Sequence, residues 1–363
     1  MILKFSCDLG NVCAKTWSGT TKAVFDRIGH DMISAVPLEY DVNKRKCIIF
    51  RIVEDLYKKL FFYWDKNAVG YEKEWHKFLE EGLADADGLF FFSHYVIGSE
   101  VFPNKKFFIY LDCELNYEQK FLRRRILPGK EWFLHRYNHN VSRSLMNTQL
   151  IFTMNEWTAR EIIRCYSIPK EKVINVGFGV NSSFLEEEKT YDNNLLLIVL
   201  RKGTERYKGL HLLLKAFKQL HQRNKGLRLA VVGTDVGMTI DGVECYYNQP
   251  REVTLRLFRE ATLYVMPSLC EPNGITYLEA LANKTPIVGL NRFAFPEFAG
   301  YGKYGFIVEE ENSDELVNVI ENALADKEHL AKMGADGQAF VRERYNWDIV
   351  CDKMYKQIKE QIK

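Results

Sequence analysis

The feature that most constrains this chain is the alternation of short, unbroken apolar runs with longer stretches of helical period. Phe90-Phe91-Phe92 and Phe107-Phe108-Ile109-Tyr110 have no polar alternation, which is how strands read when both faces are covered, as in parallel sheets flanked by helices. Repeated strand–helix alternation reads as βαβ units. In the first half, strands are expected at Ile2–Cys7, 32–36, Gly88–Phe92, Lys106–Leu111, 149–154 and 173–176. Helices are expected at Thr20–Ile28, 47–64, 72–83, 117–146 and 157–166. A second series follows, with strands at 195–200, 227–232, 263–266, 286–290 and 306–308. Its helices are expected at 209–222, 251–259 and Ile275–Ala282, and three more start near Asp314, His329 and Trp347.

A chain of 363 residues favours two domains over one. Residues 181–194 (NSSFLEEEKTYDNN) are polar, acidic and without period, so they read as the linker. The expected fold class is therefore α/β, with two Rossmann-like, doubly wound parallel-sheet domains: 1–185, and 186 onward. Such domains bind ligands in the crevice at the carboxyl ends of their strands.

Net charge and cysteine usage narrow the partners. A net charge of +2 gives no reason to expect nucleic acid. Eight cysteines, at 7, 13, 47, 113, 165, 245, 270 and 351, form no CxxC pair, which argues for reduced thiols and against zinc or a disulfide framework. The apolar start is too short for a signal peptide and no run has the length of a membrane span, so a cytoplasmic protein is expected. Two stretches, 43–64 and 120–136, mix bases with aromatics. They read either as solvated basic faces or as peripheral contacts with an anionic inner membrane face.

The chemistry concentrates in CEPNGITYLEALANKTPIVGL, residues 270–290. A strand ends just before it and a helix opens near Gly274, so unpaired N–H groups face the carboxyl edge of the sheet. Gly274 lets a ligand approach the backbone closely. Glu271 can accept from hydroxyls, and Glu279, inside the helix, can take a ribose diol. Read alone, the two acids also suit a helix dipole and a solvated face. A glycosidase pair is disfavoured, because eight helical positions separate carboxylates by about 10 Å or more, beyond the roughly 5–9.5 Å that such pairs use.

This stretch resembles the E-x7-E signature of retaining glycosyltransferases of the GT-B fold, family 4 in particular. Glu271, Gly274 and Glu279 match it, and Asn273 stands where an aromatic residue is usual. Pro267-Ser268 and Thr285-Pro286-Ile287-Val288 match its surroundings, with Lys284 in place of the usual Gly. The resemblance implies that Glu271 and the backbone at Asn273, Gly274 and Ile275 hold the donor sugar and phosphate, while Glu279 takes the ribose. LRKGTERYKGL (200–210) resembles the family's G-R…K-G segment, whose Arg and Lys grip the pyrophosphate. That gives Arg201 and Lys208, although Leu200 replaces the Gly and the spacing is long, so Lys202 and Arg206 are alternatives. Gly233 matches the family's V-G turn near the nucleotide, and Glu297 its P-E element. Arg344-Tyr345-Asn346-Trp347 resembles the segment before a last helix that crosses back to the first domain. The resemblance therefore implies domains of 1–185 for the acceptor side and 186–346 for the donor, with 347–363 returning to the first.

In the first domain the resemblance is thinner. Gly19, opening the helix after the first strand, corresponds to a loop that reaches donor and acceptor in related enzymes; the plain reading is a helix start capped by Ser18 or Thr20. Family members often place a His or Asp against the donor sugar at a strand end, which gives Asp112, a catalytic candidate, and His94. Asp85-Ala86-Asp87 imitates a metal-binding D-x-D but precedes its strand and so lies at the wrong edge. No metal or other cofactor is expected; the substrates would be a nucleotide diphosphate sugar, such as a UDP- or GDP-sugar, and a glycan, glycolipid or protein acceptor. The rivals are a GT-B nucleotide-sugar epimerase or hydrolase, and a non-catalytic partner subunit.

Overall fold

The computed structural model describes residues 1–7, 19–29, 32–39, 71–92, 101–114 and 130–361, with backbone only at 71–75, 130–137 and 140. The chain divides into two compact units, Met1–Phe178 with Trp347–Lys363, and Gly179–Asn346.

The first unit is a six-stranded sheet of β1 (Ile2–Cys7), β2 (Ser34–Pro37), β3 (Gly88–Phe92), β4 (Lys106–Leu111), β5 (Leu150–Thr153) and β6 (Val173–Asn175). Its order is β2-β1-β3-β4-β5-β6, with every pair parallel. The unbroken apolar runs have the expected cause, since all of β3 is buried. Leu89 and Phe91 join a core with Phe107, Ile109, Leu145 and Ile162, while Phe90 stacks on Phe5 and Phe152 with ring centroids 5.0 and 6.0 Å away. The described helices are α1 (Thr20–Ile28), α2 (Tyr71–Gly82), α3 (Lys130–Asn147) and α4 (Glu156–Tyr166).

The second unit holds β7 (Leu195–Val199), β8 (Arg228–Val232), β9 (Val243–Tyr246), β10 (Leu263–Val265), β11 (Ile287–Leu290) and β12 (Gly305–Val308). The order is β12-β11-β10-β7-β8-β9, again all parallel. The chain steps outward from β7 through β8 to β9, returns to β10 on the other side of β7, and steps outward again. Between β7 and β10 lies the topological switch point where such sheets bind ligands. The helices are α5 (Leu210–Arg223), α6 (Arg251–Glu260), α7 (Ile275–Ala282), α8 (Phe295–Phe298), α9 (Ser313–Ala325) and α10 (Lys327–Arg344). The last helix, α11 (Trp347–Glu360), belongs to the first unit, where Arg27 of α1 donates to Asp348 at 2.8 Å and Trp347 is buried.

Several sequence expectations need correction. Residues 181–194 are no free linker, because they belong to the second unit and are lashed to it. Lys189 Nζ donates to the carbonyls of Phe258 (3.0 Å) and Arg259 (2.6 Å) and to Thr285 Oγ1 (2.7 Å). Burial there pushes the Lys189 ammonium down to about 7. Strand β9 and helix α8 were not expected: β9 is a short, largely exposed edge strand with little apolar signal, and α8 has four residues. Helix α1 has no side-chain cap; Gly19 caps it with φ 87°, and Ser18 lies outside the described residues.

Candidate active site

The carboxyl edge of the second sheet brings together residues from three loops. After β10 the chain runs through Met266 to Asn273 into Gly274, the N-cap of α7, whose φ of 66° is left-handed. A Cβ at Gly274 would meet the Tyr277 ring at 2.5 Å, so a glycine is required there. The Gly274 N–H donates to Glu271 Oε1 at 2.9 Å, and the other Glu271 oxygen is in contact with Lys208 Nζ. Helix α7 is fixed to the strand beneath it by Tyr277 Oη donating to Met266 O (2.6 Å) and Tyr264 Oη to Thr276 Oγ1 (2.7 Å).

Lys208 stands at the end of the loop after β7. Gly209 follows it with φ 71°, and a Cβ there would lie 1.9 Å from Pro267 O. Glycine thus lets this loop lie directly against the exit of β10. The Tyr207 carbonyl accepts from Leu269 N–H (2.8 Å) and Cys270 N–H (3.3 Å), tying the two loops together. Within the loop, Thr204 Oγ1 accepts from Arg201 N–H (3.2 Å) and donates to Arg201 O (2.7 Å). Glu205 accepts from Gly203 N–H (2.9 Å) and from Thr234 Oγ1 (2.6 Å) of the loop after β8, bonds that hold its carboxyl below the usual range. The sequence reading missed Glu205, whose role is set by Thr234, distant in sequence.

Burial, and then the charge of Arg201, lower the Lys208 ammonium to about 8. The charge of Arg201 thus reaches the Lys208 ammonium. Of the alternatives in the same loop, Lys202 Nζ sits 5.5 Å from the Tyr247 ring centroid, and Arg206 lines an open cavity with Glu205, Leu210, His211 and Asp235. Gly233 has φ 96°, and a Cβ there would lie 1.8 Å from Leu200 O, so its glycine answers the close approach of the β7 and β8 exits.

Glu279 is not on a solvated face. Its side chain is only 8% exposed, and Arg251, at the start of α6, donates Nη2 to its Oε1 at 2.5 Å. The same Nη2 donates to Asn181 O at 3.0 Å. Asn273 is buried, and Ile275 is the first residue of α7. Lys284, in place of the expected Gly, adopts φ 54°, and its carbonyl accepts from Tyr191 Oη at 2.6 Å. The turn is the one a glycine would make.

In the first unit, Asp112 directly follows β4, and its carbonyl accepts from Thr158 Oγ1 at 3.0 Å. Gly19 opens α1. His94 lies outside the described residues, as do most of the two basic aromatic stretches. Asp85 pairs with Lys4 at 3.2 Å, and Asp87 Oδ2 accepts from Ile2 N–H at 2.6 Å. Both acids are at the amino edge of the sheet, engaged in structure. Among the described residues no helix is long and apolar enough to cross a membrane.

A fold of two parallel six-stranded sheets flanked by helices is that of the GT-B glycosyltransferases. Residues 184–340, nearly all of the second unit, match the family described as Glycosyl transferases group 1. The glycosyltransferase of Rickettsia africae ESF-5 superposes with a TM-score of 0.66 at 15% identity, covering 100% of this chain and 98% of that one. Anabaena Alr3699/HepE, solved in complex with UDP, superposes with a TM-score of 0.68 at 13% identity, covering 99% and 100%. By sequence, the chain is 22% identical over 226 residues to the capsular polysaccharide biosynthesis glycosyltransferase CapM of Staphylococcus aureus, covering 56% of this chain and 60% of that one. The chain spans little more than half the length of the curated relatives it matches.

Proposed function

We propose that the protein transfers a sugar, with retention of configuration, from a nucleoside diphosphate donor to a hydroxyl of a growing glycan, lipid-linked glycan or polysaccharide. The observation that carries this reading is the Lys208–Glu271–Gly274 constellation beside Arg201 at the switch point. It offers two cations for a diphosphate, and backbone donors with a carboxylate for the donor sugar. The UDP bound by HepE and the polysaccharide named for CapM give the same direction.

In this reading the acceptor hydroxyl attacks the anomeric carbon from the leaving-group face. The C–O bond to the β-phosphate breaks, the new glycosidic bond forms on the same face, and the leaving phosphate takes the hydroxyl proton. Charge grows on the β-phosphate as the bond breaks, and Arg201 and Lys208 are the groups to stabilise it. Glu271 and the amides of Asn273, Gly274 and Ile275 orient the sugar; Glu279 holds the ribose; Gly233, at the nucleotide side of the edge, lets the exits of β7 and β8 lie close together. Gly19, His94 and Asp112 would complete the donor sugar and acceptor side. With two cations supplied by the protein, transfer is proposed to need no metal ion. The basic aromatic stretches at 43–64 and 120–136 would meet an anionic membrane surface where the acceptor is lipid-linked.

The test is a thermal-shift screen of UDP-, GDP- and ADP-sugars, followed by transfer assays with and without EDTA. A donor that raises the melting temperature, and product whose anomeric configuration matches the donor, are expected. Free sugar released without acceptor would make the protein a hydrolase, and no donor binding would leave a non-catalytic subunit.

A further inference from the structure

We propose that Arg251 is a positioning residue for the nucleoside end of the donor, acting through Glu279. The proposal rests on the reading of Glu279 as the acceptor for the ribose hydroxyls.

Glu279 is almost enclosed, at 8% exposure, and a buried carboxylate needs a hydrogen-bonding partner. Arg251 is that partner, but it engages only one oxygen: Nη2 meets Oε1, and no described residue hydrogen-bonds to Oε2. A carboxylate free to rotate about its last torsion would present either oxygen, or neither, to a diol. One oxygen pinned to a fixed guanidinium sets the direction of the other.

The guanidinium is itself anchored. Its Nη2 also donates to Asn181 O, in the segment that Lys189 lashes to the carboxyl ends of α6 and α7. Arg251 is also tied to its helix, because it is the first residue of α6. On the other side, Asn283 Nδ2 donates to Glu279 O at 2.8 Å and to Ser182 Oγ at 3.4 Å, so the backbone of Glu279 is tied to the same segment. The carboxylate is therefore held from two directions by one strap of chain. The Arg251 side chain remains half exposed, with Nη1 and Nε not used in these bonds. A lysine could supply the charge at this position but not the planar fork that fixes orientation.

The experiment measures how well the protein distinguishes ribose from deoxyribose. Affinities are determined calorimetrically for UDP, GDP and ADP, each beside its 2′-deoxy and 3′-deoxy forms, in wild type, Glu279→Ala, Arg251→Ala and Arg251→Lys. Wild type should favour at least one ribonucleotide over its deoxy forms by on the order of tenfold or more, the scale of one hydrogen bond to a charged group. Glu279→Ala should abolish that preference. Arg251→Ala should reduce it to within about threefold, Arg251→Lys should give an intermediate value, and adding Arg251→Ala to Glu279→Ala should change nothing further. A merely structural Arg251 would lower affinity for ribo and deoxy forms alike and keep their ratio, which overturns the proposal. If Arg251→Ala does not fold, the same ratio in Arg251→Lys decides, a wild-type ratio again overturning it. If Glu279→Ala keeps the preference, or wild type binds none of the nucleotides, the reading of Glu279 fails and the proposal falls with it.

Discussion

Lys208 and Glu271, which a sequence reading assigns to two different parts of a donor, are in direct contact at the carboxyl edge of the second sheet. Glu271 uses its second oxygen to accept from the Gly274 N–H. The carboxylate thus occupies both a cation and a helix N-terminus, two places that favour an anion. In the proposed reading, a diphosphate arriving here would replace Glu271 as the counter-ion of Lys208, and the displaced carboxylate would become available to sugar hydroxyls.

That proposed exchange would have a pH signature. Burial, then Arg201, lower the Lys208 ammonium from its ordinary value to about 8 in the free protein. The folded pKa is below the unfolded one, so the unfolded chain binds more protons between about pH 8 and the ordinary lysine value. This group's contribution to stability is therefore unfavourable below pH 8 and is relieved as pH rises through that window. A bound diphosphate favours the charged form and raises the pKa again, so UDP or GDP should bind less tightly as pH climbs above about 8. Calorimetry from pH 7 to 10 checks this; an affinity flat across the window, or the same slope in Lys208→Met, would contradict it.

Gly209→Ala should damage both fold and site. The new Cβ would lie 1.9 Å from Pro267 O at a positive φ, so the loop carrying Lys208 must move away from the exit of β10. A loss of about 1–3 kcal/mol is expected for such strain, with weakened nucleotide binding. Thermal unfolding and nucleotide titration of the variant measure the two effects.

The strap at 181–194 makes its own prediction. Lys189→Ala leaves the carbonyls of Phe258 and Arg259 and the Thr285 hydroxyl without their shared donor. The Phe258 carbonyl keeps the Thr285 hydroxyl as a donor, and Arg259 is exposed. The loss is therefore that of ordinary hydrogen bonds, about 0.5–1.5 kcal/mol, which urea unfolding would detect. An unchanged midpoint would restore the linker reading.

How much of this was legible in sequence depends on range. The unbroken Phe90–Phe92 run and the Ile275–Ala282 helix follow from local pattern, and the strand edges at Lys106–Leu111 and Gly88–Phe92 fall where expected. Arg251 on Glu279, Glu205 on Thr234 and Lys208 on Glu271 are pairs made by the fold across long sequence separations, and no local spacing announces them. The strap failed for a related reason: a polar, aperiodic segment looks the same whether its groups meet water or the carbonyls at helix ends. Lys284 failed differently, because a lysine hides a left-handed turn that a glycine would have advertised. Lys284→Gly should therefore raise stability by roughly 0.5–1 kcal/mol, readable as a higher melting temperature.

The central claim is that Arg201 and Lys208 act on charge that develops as the donor bond breaks. Such an interaction appears in turnover more than in donor affinity. The most direct measurement is the turnover number of Lys208→Ala with the donor identified by thermal shift, with Arg201→Ala and the double variant in parallel. Each single substitution should lower turnover by on the order of 10²–10³ with the fold intact, and the double variant should lose less than the product, since both act on one charge. A Lys208→Ala protein with near-normal turnover would contradict the account and pass the role to Lys202 or Arg206.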